Sequence, residues 1–165
     1  MNRHRTGRAR LVASTTCVLL GACTEPHFTP AVLQLEAAQQ RWQATTHPDY
    51  DLTVQRSCFC VMEVVRPVRV AVRNGSPTGL VYADSGTAVD TALFADYRSV
   101  DRMFAFLHDV IASKPDSIAV AFDPVWGYPT QVTVDPNFTT VDEEFAFQVS
   151  GFTAAPVPLE ASRPR

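Results

Sequence analysis

The sequence predicts an α+β fold: a two-layer antiparallel sheet with two helices on one face. Three observations carry that expectation. Two stretches repeat apolar residues at helical spacing, and six shorter stretches read as strands. Their order along the chain is helix, three strands, helix, three strands. The 165 residues, 46% of them hydrophobic and including ten Phe, are enough to bury one core.

The first helix is expected over residues 30–45. Thr29-Pro30 supplies an N-cap and a proline at the first helical position. Val32, Leu35, Ala38 and Trp42 follow near helical spacing, and Thr45-Thr46-His47-Pro48 ends the run. A strand is expected over residues 50–56, with Leu52 and Val54 on one face. A second covers residues 67–73, where Val68, Val70 and Val72 point inward and Arg69 and Arg73 outward. Asn74-Gly75 signals a turn, residues 80–83 a third short strand, and residues 84–98 a polar connection.

Ser99 then caps a helix in which Val100, Met103, Phe104, Leu107, Val110 and Ile111 form one apolar stripe. Asp101 suits its positive start, and Lys114-Pro115 stops it. Strands follow over residues 117–122, 130–134 and 144–150, the last with Phe145, Phe147 and Val149 on one face. The chain from Ala154 onward holds three prolines and is expected to be a disordered tail over 154–165.

The repeated order suggests a tandem α-β-β-β duplication, with half-repeats at 30–84 and 99–152 inside one domain at 30–153. Thr46-His47-Pro48-Asp49 matches Ser113-Lys114-Pro115-Asp116. Pro67-Val68-Arg69-Val70-Ala71-Val72 matches Pro129-Thr130-Gln131-Val132-Thr133-Val134. The two offsets differ by a short insertion, which falls after the first strand, where Cys58-Phe59-Cys60 lies. The architecture is similar to that of small periplasmic inhibitory domains, a likeness that carries no function.

Residues 1–22 read as a signal peptide. Arg3, Arg5, Arg8 and Arg10 form a basic start, and a short apolar run, too short to span a bilayer, follows from Leu11 to Leu20. Leu20-Gly21-Ala22-Cys23 resembles a bacterial lipobox, which implies cleavage before Cys23 and lipid on that residue, with residues 23–29 as a tether. Removing four arginines takes Lys+Arg from 14 to 10 while Asp+Glu stays at 17, so the formal charge moves from -3 to -7. That charge argues against a nucleic-acid partner, which needs cations for its phosphates. Attachment is then expected through the lipid, at the periplasmic or extracellular face of a bacterial envelope.

Several motifs together resemble a family of bacterial lipoproteins built on a domain of unknown function. They are Cys23, Cys58-Phe59-Cys60, the strand ending at Gly75, the aromatic helix, Gly127-Tyr128-Pro129-Thr130 leading to Asp135, and Asp142-Glu143-Glu144. The resemblance covers roughly residues 40–152. It implies surface localisation and this fold, and attaches no activity.

Once Cys17 leaves and Cys23 is acylated, Cys58 and Cys60 are the remaining pair. In an extended strand, i and i+2 Cα atoms lie about 6.6 Å apart, near the upper end for a disulfide. A bend would close that distance. The pair can be a local disulfide, a redox couple, or thiols held by a metal or left unpaired. A bond closing three residues contributes only about 1.6 kcal/mol by loop entropy.

Trp126 and Tyr128 frame an aromatic turn that can serve either the fold or a contact patch. His47, Asp49 and Asp51 alternate, and Asp142, Glu143 and Glu144, with Asp123 and Asp135, could gather calcium. A helix stop and a solvated acidic turn are the simpler readings, so no metal or other cofactor is expected. No Gly-x-Ser-x-Gly, phosphate loop or His-Glu-x-x-His occurs. Asp123 and Glu144 could form an acid and base pair, but any acidic chain offers such pairs. The expected function is therefore a lipid-anchored, non-enzymatic binding domain for an envelope protein or ligand. The alternative is a thiol-redox protein using Cys58 and Cys60.

Overall fold

The computed structural model describes residues 29–45 and 49–154. The elements are α1 (Thr29–Ala44), β1 (Tyr50–Cys58), α2 (Met62–Val65), β2 (Val68–Arg73), β3 (Ser76–Tyr82), a 3-10 segment (Thr91–Tyr97), α3 (Val100–Ala112), β4 (Ser117–Phe122), β5 (Pro129–Asp135) and β6 (Phe145–Ala154). All six strands join one antiparallel sheet in the order β3-β2-β1-β6-β5-β4. The α+β expectation holds. The expected signal peptide, Cys23 and the tether up to residue 28, together with residues 46–48 and the tail beyond Ala154, lie outside the described residues, and Thr29, expected in the tether, begins α1.

One face of the sheet carries the core. Leu35, Ala38 and Trp42 of α1 and Val100, Met103, Phe104 and Leu107 of α3 bury against Leu52, Val54, Val68, Val70, Val72, Val132, Val134 and Phe147. The period-2 alternation places those strand residues on one side, and the helical spacing turns both stripes toward them. The opposite face is open, with Gln55, Ser57, Arg69, Gln131, Thr133, Gln148 and Ser150 exposed.

Several boundaries differ from expectation for physical reasons. β3 begins at Ser76 rather than at residue 80, because Asn74 and Gly75 both take positive φ (50° and 70°) and make a two-residue hairpin pairing Arg73 with Ser76. A bulge between Ala71 and Val72 absorbs the irregular Pro-Thr-Gly stretch of β3. The supposed polar connection at 84–98 contains the 3-10 segment, whose Phe94 and Tyr97 are buried. β6 runs to Ala154, which pairs with Tyr50, and so carries Phe152 into the fold. Ser99 caps α3 as expected: its side chain accepts from the Arg102 N–H at 3.2 Å.

Tyr50 ties the sheet to the second helix. Its hydroxyl accepts from the Val100 N–H at 3.0 Å, satisfying a donor at the start of α3. Burial pushes its pKa up to about 12. Trp42 packs edge-on against the Tyr50 ring at 5.4 Å, and its indole N–H donates to Asp101 at 3.1 Å.

Candidate functional site

The β1–β2 connection is the most unusual surface feature. β1 ends at Cys58, which is paired across the ladder with Phe145. The chain then bends sharply, and the Cys60 N–H donates to the Cys58 carbonyl at 2.9 Å. The bend brings the two Cα atoms to 5.2 Å, and a disulfide joins Cys58 to Cys60. The pair is thus bonded in the β1–β2 connection, as both a local disulfide and the oxidised form of a redox couple would be.

The far side of the connection is held as well. Val64 of α2 is buried, and the Tyr82 hydroxyl donates to the Glu63 carbonyl at 3.2 Å. Arg66 forms a two-pronged ion pair with Asp84 and lies over the Tyr82 ring, 3.8 Å from its centroid. The Arg66 hydrogen bonds hold the Asp84 carboxyl below the usual carboxylate range. Between these two anchor points the loop turns apolar side chains outward: Phe59 is 83% exposed, Val61 64% and Met62 68%. Scattered exposed apolar residues are ordinary, but three within four positions on a loop fixed at both ends are a patch.

Two concavities flank this loop. A cleft of about 400 Å³ lies between it, the 3-10 segment and the start of β6, lined by Arg56, Phe59, Leu93, Asp96, Phe106 and Glu144 among others. A wider depression of about 660 Å³ opens on the bare sheet face, lined by Gln55, Ser57, Met62, Gln131 and Gln148. Arg56 fixes the cleft wall. Its guanidinium donates to the Leu93 carbonyl at 2.8 Å and lies 4.9 Å from the Tyr97 ring centroid. Burial raises the Tyr97 pKa, with Arg56 working in the opposite direction.

The acidic stretch Asp142-Glu143-Glu144 borders the same cleft, so the fold brings it beside Cys58 and Cys60. No group of three or more His, Cys, Asp or Glu among the described residues is arranged to hold a metal ion. Asp123 is engaged by the Val125 and Trp126 N–H groups, at 2.9 and 2.7 Å, and Asp135 by the Asn137 N–H at 3.1 Å. Asp49 accepts from the Asn74 N–H at 2.7 Å, and Asp51 pairs with Arg73 at 2.9 Å. His47 lies outside the described residues.

Trp126 and Tyr128 stand elsewhere, against α1. Tyr128 is 9% exposed and stacks on Phe152 at 4.5 Å, while Trp126 is half-buried with its ring 6.1 Å from the same phenylalanine. Trp42 and Tyr50 complete the cluster around Phe152, at 6.0 and 5.5 Å. The Tyr128 ring is buried in this aromatic cluster. Gly127 explains the turn. Its φ is +86°, and a Cβ there would collide with the Ala38 carbonyl oxygen and come within 3.0 Å of the Arg41 Cβ. Sequence reasoning missed Phe152, because the alternation it followed stops at a bulge opposite Asp51 and Thr53, next to Gly151.

Residues 34–154, most of the chain and all of this site, match one family model, described as a family of unknown function. The chain belongs to DUF6174. The match takes in the disulfide loop, the acidic stretch and the Gly127 turn of this DUF6174 domain. No curated protein matches the chain. Among the described residues, no helix is long and apolar enough to cross a membrane.

Proposed function

We propose that this DUF6174 protein is a lipid-anchored, non-enzymatic interaction domain of the bacterial envelope that docks a protein partner through the Cys58–Cys60 loop. The observation that carries the docking reading is the exposed Phe59, Val61 and Met62 on a loop fixed by the disulfide on one side and by Val64 and Arg66 on the other. An apolar anchor held rigid before binding loses little conformational entropy on docking, which is how interface hot spots work. The acidic rim at Asp142-Glu143-Glu144 favours a partner whose contacting surface is basic.

Lipobox-like Leu20-Gly21-Ala22-Cys23, behind a basic start and an apolar run, supports the anchor. Cys23→Ala is expected to abolish palmitate labelling and to move the protein out of the membrane fraction; labelling that survives would remove the anchor. For docking, gentle crosslinking in envelope membranes should enrich one partner with wild type and lose it with Phe59→Ser. Equal enrichment by both proteins would contradict the loop as the docking element.

A thiol-redox role is the second reading, and the exposure of Cys60 favours it, because an incoming thiolate can reach that sulfur. Two electrons and two protons from a donor dithiol would convert the bond to two thiols. Differential alkylation at controlled potential separates the readings. A pair still oxidised below about -300 mV is structural.

A further inference from the structure

Exposed apolar side chains gather at one end of the sheet. Of the eight large ones that stand exposed among the described residues, five do so there: Phe59, Val61, Met62, Phe138 and Val141. The end is defined by strand pairing. Cys58 and Val134 both pair with Phe145, and Ser117 pairs with Asp135. The close of β1, the start of β6, the close of β5 and the start of β4 therefore lie side by side. Phe138 is 67% exposed and Val141 80%, both on the β5–β6 loop. Single exposed apolar residues need no cause, but a gathering of them marks a contact surface.

α1 begins at that same end. The Phe138 N–H donates to the Asp116 carboxylate at 2.8 Å, and Asp116 and Ser117 line one concavity with Pro30 and Ala31. The β5–β6 loop is thus next to the first turn of α1, where the chain arrives from Cys23. Six residue steps separate Cys23 from Thr29, a reach of at most about 22 Å when fully extended. The opposite end of the sheet carries the β4–β5 turn with Val125. Its Gly127 packs on Ala38 and Arg41, and Arg41 is about 18 Å along α1 from Thr29. With Cys23 acylated, the Phe138 end can meet the bilayer with the chain slack. Turning the Val125 end to the bilayer uses nearly all of the reach.

We propose that Phe138 and Val141 insert into the headgroup region of the membrane that holds the anchor, so that this end of the sheet lies on a zwitterionic lipid surface. The inference rests on the lipid-anchor reading of Cys23 and not on the docking reading. Apolar groups in this mode sink about 5–10 Å into the headgroup and acyl boundary. Charge selects the lipid. Beside the exposed Lys114, this end carries Asp116, Asp142, Glu143 and Glu144. Such an acidic surface is repelled by an anionic leaflet, so the acyl anchor and the apolar side chains supply the attraction. The order β1-β6-β5 puts β1 two strand spacings, about 10 Å, from β5. A partner on the clasped loop then meets it at the membrane surface.

The test uses the lipidated protein purified from membranes and reconstituted in phosphatidylcholine vesicles. With Cys17 removed, Cys23 acylated and Cys58 bonded to Cys60, an introduced cysteine is its free thiol. Thr140 is exposed between Phe138 and Val141. A polarity-sensitive fluorophore on Thr140→Cys is expected to be quenched at least about threefold more by a nitroxide lipid than the same fluorophore on Val125→Cys. Adding Phe138→Ser and Val141→Ser should bring the Thr140→Cys quenching down to the Val125→Cys level. The melting temperature should not move, because both side chains are exposed. Palmitate labelling of the same samples separates the two readings. An unlabelled wild type overturns the anchor and this inference with it. Labelled protein with equal quenching at both positions overturns this inference and leaves the anchor standing. A fluorophore at Thr140→Cys that is shielded from water yet unquenched marks a second copy as the occupant, and overturns the inference as well.

Discussion

Gly127 shows how one residue can hold a layer in place. Its positive φ and its contact with α1 leave no room for a side chain. Gly127→Ala is expected to cost about 2 to 5 kcal/mol, summing left-handed strain and overpacking, as read by urea unfolding. Tyr50 gives a pH signature. Its folded pKa of about 12 stands above the unfolded value of 10.0, so the unfolded chain loses its proton first as pH rises. Stability should then fall between about pH 10 and 12, by about 2 to 3 kcal/mol. In Tyr50→Phe that part of the slope should vanish, while stability at neutral pH drops by about 1 to 3 kcal/mol because the Val100 N–H loses its acceptor. The sequence showed Gly127 as a turn residue but not its contact with Ala38, because that approach depends on where α1 lands. Tyr50 read only as the first residue of a strand, since its partner lies fifty residues away.

At the level of elements, local chemistry was legible wherever the local signal decided the outcome. Ser99 was readable as a cap because capping needs only its own side chain and the next turn; Ser99→Ala should cost about 1 kcal/mol in thermal unfolding. α3 and the valine faces of β2 and β5 followed their periodicity, and burial confirmed them. The 3-10 segment was not readable. Its buried Phe94 and Tyr97 sit in a seven-residue segment, Thr-Ala-Leu-Phe-Ala-Asp-Tyr, too short and too irregular to show a repeating period, and packing under Arg56 identifies them as core. α2 was missed because four residues cannot show a helical period, and its one buried side chain is Val64. The Cys58–Cys60 bond closes a very small loop. Its reduction is expected to lower global stability by no more than about 1.6 kcal/mol, so the melting transition should move only slightly. A large shift on reduction would show that the loop carries core packing through Val64.

For the whole molecule, the sequence indicated antiparallel strands, in one sheet or two adjoining ones, with two helices on one face; the structure has a single six-stranded sheet with α1 and α3 on one face. Strand order could not be read from the sequence, because pairing β1 with β6 depends on long-range complementarity that no local pattern encodes. The same pairing sets Cys58 beside Phe145 and so brings the acidic stretch to the disulfide loop, two motifs more than eighty residues apart. That junction is where the proposed function is most exposed to test. A photo-crosslinking residue placed at Phe59 in the full-length protein measures it most directly, with Thr133 on the open sheet face as the control position. The expected result is one saturable adduct at position 59 and none at 133, competed away by excess wild-type protein but not by Phe59→Ser. Adducts of equal yield at both positions, or an adduct that Phe59→Ser competes as well as wild type, would contradict docking through the disulfide-clasped loop.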